Sequence, residues 1–243
     1  MEVTARPLLV FVHSPLVGPS TWTAVAERLG SRYPVVTPSL TGVFAKSGDP
    51  GLYHALADAV ALPVPDTGEP VVLVAHSGAG ALLPVVAERL GDRVRAAVYV
   101  DALPPHPGSR WLDTVPQELR DHLLGLAHNG LLPPWNEWFP PEVLAELLPE
   151  PGLREKFVVE LPRVPVTYLA EPAPSAAEVN PAAYLRLSEG YDEVADEAER
   201  RGWWVRRRQY DHLAPLTRPG DVAALVDAAV TALDVGTGPS SAR

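Results

Sequence analysis

The sequence predicts an α/β chain: a doubly wound, mostly parallel sheet with a small helical cap inserted late. Three observations predict it. Short apolar runs alternate with helix-spaced segments from Leu8 to Val100, one run breaks at a small-residue turn around Ser77, and the alternation returns after Ala182. Strands that read as unbroken apolar runs are buried on both faces, as parallel strands under two helix layers must be.

Leu8 to Val12, Val35 to Thr37, Val71 to Ala75 and Val94 to Val100 are the expected strands. Thr21 to Leu29, Tyr53 to Leu62 and Ala81 to Leu90 carry helical spacing between them, with Ser20 or Thr21 as a cap and Gly30 and Gly91 as stops. This βαβα order implies helices on both faces of one sheet. From Leu103 to about Pro165 the chain is dense in proline and aromatic residues, including Trp111, Trp135, Trp138 and Phe139. Short helices are expected at Pro116 to Leu126 and Glu142 to Leu148, and Val164 to Leu169 as a strand that Pro165 demotes to an edge or hinge. Regular structure resumes with a strand at Ala182 to Leu187, a helix at Asp192 to Arg201, a strand at Trp203 to Gln209 and a helix at Gly220 to Leu233. Residues 236–243 are expected to fray. The division is therefore a core of residues 1–103 and 182–243, with 104–181 forming the cap and its return.

Composition narrows the function. At 243 residues, 47% hydrophobic and 21% charged, the chain can bury a full core. A formal charge of −10 argues against a nucleic-acid or anionic-membrane surface. The basic run Arg206-Arg207-Arg208 falls in an expected strand and reads as a sheet edge. Without cysteine there is no disulfide, thiolate nucleophile or Cys-ligated metal. Arginine far outnumbers lysine (Lys46 and Lys156 only), a bias that fits a GC-rich genome. The apolar run at Leu8 is too short to span a membrane and lacks signal-peptide flanks, so a cytoplasmic location is the default. Neither G-x-G-x-x-G nor a P-loop nor H-E-x-x-H occurs, and no cofactor or metal is expected.

The chemistry converges on Ala75-His76-Ser77-Gly78-Ala79. A strand that turns sharply into a helix at a serine between small residues is the layout of a nucleophile elbow, although the same residues would serve a plain turn. Alanines replace both glycines of G-x-S-x-G. A serine needs a base and the base an orienting acid. Among seven histidines, His212 alone follows the last strand at the edge where Ser77 emerges. His13 and His76 flank the site as pocket or structural residues.

Ser77 in an elbow, a terminal His212 and an acid between them resemble the chain order of the α/β-hydrolase superfamily. His13-Ser14-Pro15-Leu16-Val17-Gly18 followed by Trp22 resembles that superfamily's H-G loop, and the likeness is greatest to the small methylesterase and hydroxynitrile lyase branch with its bacterial relatives. The resemblance covers residues 6 to 103 and 182 to 234. It implies a Ser-His-acid triad with the acid open: Asp101 is favoured, Asp192 is the alternative near the usual family position, and Glu189 and Glu171 stand behind. Ser188-Glu189-Gly190-Tyr191 puts a tyrosine where the family pattern expects the acid. One oxyanion donor is the Gly78 amide. The second usually follows H-G, where Pro15 has no N–H, so the Leu16 amide or the Ser14 hydroxyl must serve or the donor is missing. The expected activity is hydrolysis of an ester, thioester or lactone of a small apolar or aromatic molecule, with Trp111, Trp135 and Trp138 shaping the pocket. Pro15 also motivates a lyase or cyclase using Ser77 and His212 as an acid–base pair, and a ligand-binding pseudoenzyme is the third reading. A homodimer is left open.

Overall fold

The computed structural model describes residues 6–46 and 51–235; the frayed tail expected at 236–243 lies outside the described residues. In chain order the core begins β1 (Leu8–Val12), α1 (Ser20–Leu29), β2 (Val35–Val36), α2 (Val43–Lys46), α3 (Leu52–Ala61), β3 (Val71–His76), a 3₁₀ turn (Ser77–Leu82), α4 (Leu83–Leu90) and β4 (Val94–Val100). The cap follows with α5 (Trp111–Thr114), α6 (Gln117–Leu126), β5 (Leu131–Leu132), α7 (Pro141–Leu147), α8 (Pro151–Val159), β6 (Val164–Pro165) and α9 (Val166–Ala170). The chain returns through β7 (Ala182–Arg186), α10 (Asp192–Arg200), β8 (Trp204–Arg207), α11 (Ala214–Thr217) and α12 (Pro219–Ala232).

Six strands form one sheet in the order β2-β1-β3-β4-β7-β8, every neighbouring pair parallel. Alternate residues of each strand feed opposite cores. Leu8, Val10, Leu73, Ala75, Tyr99 and Tyr184 pack towards α3, α4 and α10, while Leu9, Phe11, Val72, Val74, Val98 and Leu185 pack towards α1 and α12. That double burial explains why the strands read as unbroken apolar runs. Arg206 to Arg208 do sit at an edge strand, with Arg206 over the Trp204 ring and Arg207 paired to Asp192, Asp196 and Glu199. Among the described residues no helix is long and apolar enough to cross a membrane.

Several segments differ from expectation. Neither Ser20 nor Thr21 caps α1, which follows Pro19 without a side-chain cap, and the short helices α2 and α5 were not expected. Only Val164–Pro165 of the expected Val164 to Leu169 strand pairs, antiparallel to Leu131–Leu132; Val166–Ala170 is helical. Pro165 has no N–H to extend a ladder, and its extended backbone opens α9 instead. Tyr168 thereby packs on Phe44 and Tyr53. The helix after Ser77 starts as a 3₁₀ coil and becomes α-helical only at Leu83. Helix α8 was hidden by Pro151-Gly152, which reads as a turn; the Glu150 carboxylate accepts from the Gly152 and Leu153 amides and caps it.

Candidate active site

Ser77 follows β3 with φ of 56°, a left-handed conformation that a non-glycine residue adopts only under constraint. The constraint is a clasp: the Leu103 amide donates to the Ser77 carbonyl at 2.9 Å. A Cβ on Gly80 would lie 2.0 Å from the Leu103 carbonyl oxygen, so the chain passes this point only as glycine. The small residue the elbow cannot do without is therefore Gly80, one place beyond the G-x-S-x-G pattern.

Ser77 Oγ lies 3.0 Å from His212 Nε2, and His212 Nδ1 lies 3.2 Å from Asp101 Oδ2. Asp101 follows β4, is 0% exposed and has φ of 41°. Its carboxylate also accepts from the Leu187 amide (2.5 Å), the Ser188 amide (3.1 Å) and the Ser188 hydroxyl (2.5 Å). Burial raises its pKa, but the hydrogen bond and charge of His212 together with Ser188 and Leu187 outweigh that and hold it below the ordinary carboxylate value. Asp192 lies elsewhere: it pairs with Arg186 at 2.6 Å and with Arg207 at 3.3 Å. Nor is it a cap, because it is the first residue inside α10. Glu171 accepts from the Leu52 amide, and Glu189 is exposed in the turn before α10.

Two neighbours fix His212. The buried His76 donates from Nε2 to the His212 carbonyl at 2.8 Å, and the Tyr191 ring stacks on the imidazole at 5.2 Å with 4° between the planes. Burial keeps Tyr191 protonated, raising its pKa with the Asp101 charge adding to the effect; its phenol also interacts with the Ser77 hydroxyl. His13 accepts from the Leu40 amide at Nε2 and donates from Nδ1 to the Ser14 carbonyl. Desolvation lowers His13 to about 4 and His76 to about 3, so both are neutral scaffold groups.

A cavity of about 220 Å³ opens over Ser77, lined by Gly78, Leu16, Trp111, Trp135, Trp138 and His212 among others. Of the expected pocket residues, the three tryptophans line it, whereas His13 and His76 do not. Trp138 is also structural, its Nε1 donating to the Pro133 carbonyl. Leu103, Leu119, Phe139 and Tyr191 complete the wall. Tyr191 had one sequence signal, its place where an acid is usual; Leu119 had none beyond its helix. Near Gly78 the Leu16 amide donates to Ser14 Oγ at 3.3 Å. A Cβ on Gly78 would lie 3.1 Å from Ser14 Oγ and 3.9 Å from Pro15 Cδ, so hydroxyl and proline ring face the space beside Gly78. Among the described residues no cluster of three His, Asp or Glu could hold a metal.

A sequence comparison with curated proteins finds no match. Among solved structures, an extracellular α/β-hydrolase from a Paenibacillus species has a TM-score of 0.70 at 19% identity, covering 92% of this chain and 98% of its own. A pyrethroid hydrolase from Sphingobium faniae has a TM-score of 0.66 at 19% identity, covering 94% and 98%. An Arabidopsis methylesterase has 0.64 at 20% identity, covering 93% and 100%. At such identities these likenesses establish a shared fold. The model of the alpha/beta hydrolase family matches residues 9–225, from β1 into α12 and through every residue of the site, and the chain belongs to that family.

Proposed function

We propose that the protein is a serine hydrolase that cleaves a carboxylic ester, thioester or lactone of a small apolar molecule. The observation that carries the proposal is the unbroken line from Ser77 Oγ through His212 to the buried Asp101 carboxylate. His212 Nε2 takes the Ser77 proton as Oγ bonds to the substrate carbonyl carbon, and the carbonyl π pair moves onto oxygen. Collapse of this intermediate breaks the bond to the leaving group, which takes the proton back from His212. Water then repeats the sequence on the acyl-enzyme. Asp101 orients the imidazole and balances its charge while it is protonated.

The oxyanion is held by the Gly78 amide and the Ser14 hydroxyl. The Leu16 amide already donates to Ser14 Oγ, which leaves the Ser14 hydrogen as the donor that substitutes for the missing Pro15 N–H. Pro15 is also the observation that favours a second reading, a lyase using Ser77 and His212 for proton transfer, since that chemistry needs no complete oxyanion hole.

Intact mass after exposure to an alkyl fluorophosphonate tests the proposal. Wild type is expected to gain one adduct and Ser77→Ala none. Absence of the adduct from folded wild type that still turns substrate over, with that turnover lost in both Ser77→Ala and His212→Ala, would favour the lyase instead.

A further inference from the structure

The cavity over Ser77 is too small to enclose a whole substrate of ordinary size. At about 220 Å³ it falls below the roughly 300–1,000 Å³ of pockets that bury most of a drug-sized ligand. A second, larger space shares one lining residue with it. The cap carries an open groove of about 820 Å³ walled by Phe139, Leu144, Val158 and Val159, with the charged Glu137, Arg154 and Glu155 also on its lining. Phe139 belongs to both walls, lining the inner cavity with Ser77 and His212 and the outer groove with α7 and α8.

The sequence around Phe139 suits a partition. Pro140 and Pro141 follow it, and a residue before proline is confined to extended backbone, so the Phe139 main chain is fixed and only its side-chain torsions can move. Phe139 is 37% exposed, and its ring meets Trp135 edge-on at 6.0 Å. Val159, which also lines the groove, is 85% exposed, an apolar side chain open to solvent.

We infer that the outer groove is the second half of the substrate site, taking the long alkyl or aryl arm of an ester whose carbonyl sits at Ser77, with Phe139 setting the passage between the two. This rests on the serine-hydrolase reading. That one side chain lines both spaces commits the groove to substrate, ahead of a second copy of the chain. Each methylene that enters the groove should raise the second-order rate constant by about twofold to fourfold, until the groove is filled.

The test measures inactivation rates by intact mass with ethyl, hexyl and dodecyl fluorophosphonates, on wild type, Phe139→Trp, Phe139→Ala and Val159→Asp. The long-to-short rate ratio is expected to be large in wild type, to fall at least tenfold in Phe139→Trp and Val159→Asp, and to rise in Phe139→Ala. Val159 is a surface position, so that variant should fold even if a Phe139 variant does not. No labelling by any probe would refute the hydrolase reading itself. Labelling with a ratio that is flat, or that persists unchanged in the variants, would overturn the groove assignment and leave the nucleophile standing. So would light scattering that shows a dimer abolished by Val159→Asp alongside a flat ratio, which would give the groove to a second copy.

Discussion

Replacing Asp101 with asparagine tests the site at its least exposed point. The carboxylate receives donors on both oxygens: Leu187 N–H on Oδ1, the Ser188 hydroxyl and His212 Nδ1 on Oδ2, and the Ser188 amide between them. An asparagine must turn its NH₂ towards one side. On the Oδ1 side it would oppose the Leu187 amide, which cannot become an acceptor. It therefore faces His212, whose Nδ1 must then accept, and the ring's one hydrogen moves to Nε2 opposite Ser77. In that tautomer His212 cannot take the serine proton. The same replacement in a serine protease costs about 10⁴-fold in kcat, or about 5.5 kcal/mol at 1.36 kcal/mol per decade. A similar loss is expected here, because Tyr191 and His76 keep the ring in place and only its tautomer changes. Stability should fall by about 1–3 kcal/mol from the imperfectly paired buried amide. The assay is hydrolysis of an aryl ester beside urea denaturation, with Asp192→Asn as the companion variant. Asp101→Asn that folds and keeps activity within tenfold of wild type would refute the reasoning, as would a greater loss in Asp192→Asn.

Ser14→Ala should lower kcat by about 10²-fold with KM little changed, and adding Pro15→Ala should recover part of it by placing an N–H where Pro15 Cδ now faces Gly78; no loss in the single variant would remove Ser14 from the oxyanion site. Gly80→Ala should cost about 3 kcal/mol or more in denaturation, since its methyl meets the fixed Leu103 carbonyl, whereas Gly125→Ala, open within α6, should be stabilising by about 0.5–1 kcal/mol. Stability should also fall with acid. His13 and His76 protonate in the unfolded chain near 6.5 but in the fold only at about 4 and about 3, so their contribution is whole above that unfolded value and drains away below it. Because the unfolded chain binds more protons than the fold in this range, stability should fall steeply near pH 5, by about 2–3 kcal/mol per pH unit. Equal urea midpoints at pH 7 and pH 5 would contradict it.

What the sequence discloses follows from how locally each feature is encoded. Doubly buried strands announce themselves as apolar runs, and Ser77 and His212 sit where such runs end, so sheet, elbow and terminal histidine could be read directly. The acid could not. Asp101 and Asp192 both follow strands, and what separates them is tertiary: β7 lies beside β4, so the amides of Leu187 and Ser188 close on Asp101, while Arg186 and Arg207 hold Asp192 away. The cap was the least legible part. Its prolines start helices α7, α8 and α9 as often as they break the pattern, and the role of Phe139 in two cavities depends on the approach of segments far apart in sequence.

The hydrogen bond from Leu103 to the Ser77 carbonyl has a mechanical consequence. It ties the loop carrying Asp101 to the turn carrying Ser77, so the two residues ride on one rigid piece formed by two adjacent strands. The histidine arrives separately, from the loop after β8 at the far edge of the sheet. Changes in the cap or at that edge can alter how the histidine docks without disturbing the relation of serine to acid. Tolerance to substitution should therefore be lowest between Ser77 and Leu103 and should be set, on the other side, by the loop from Tyr210 to Leu213.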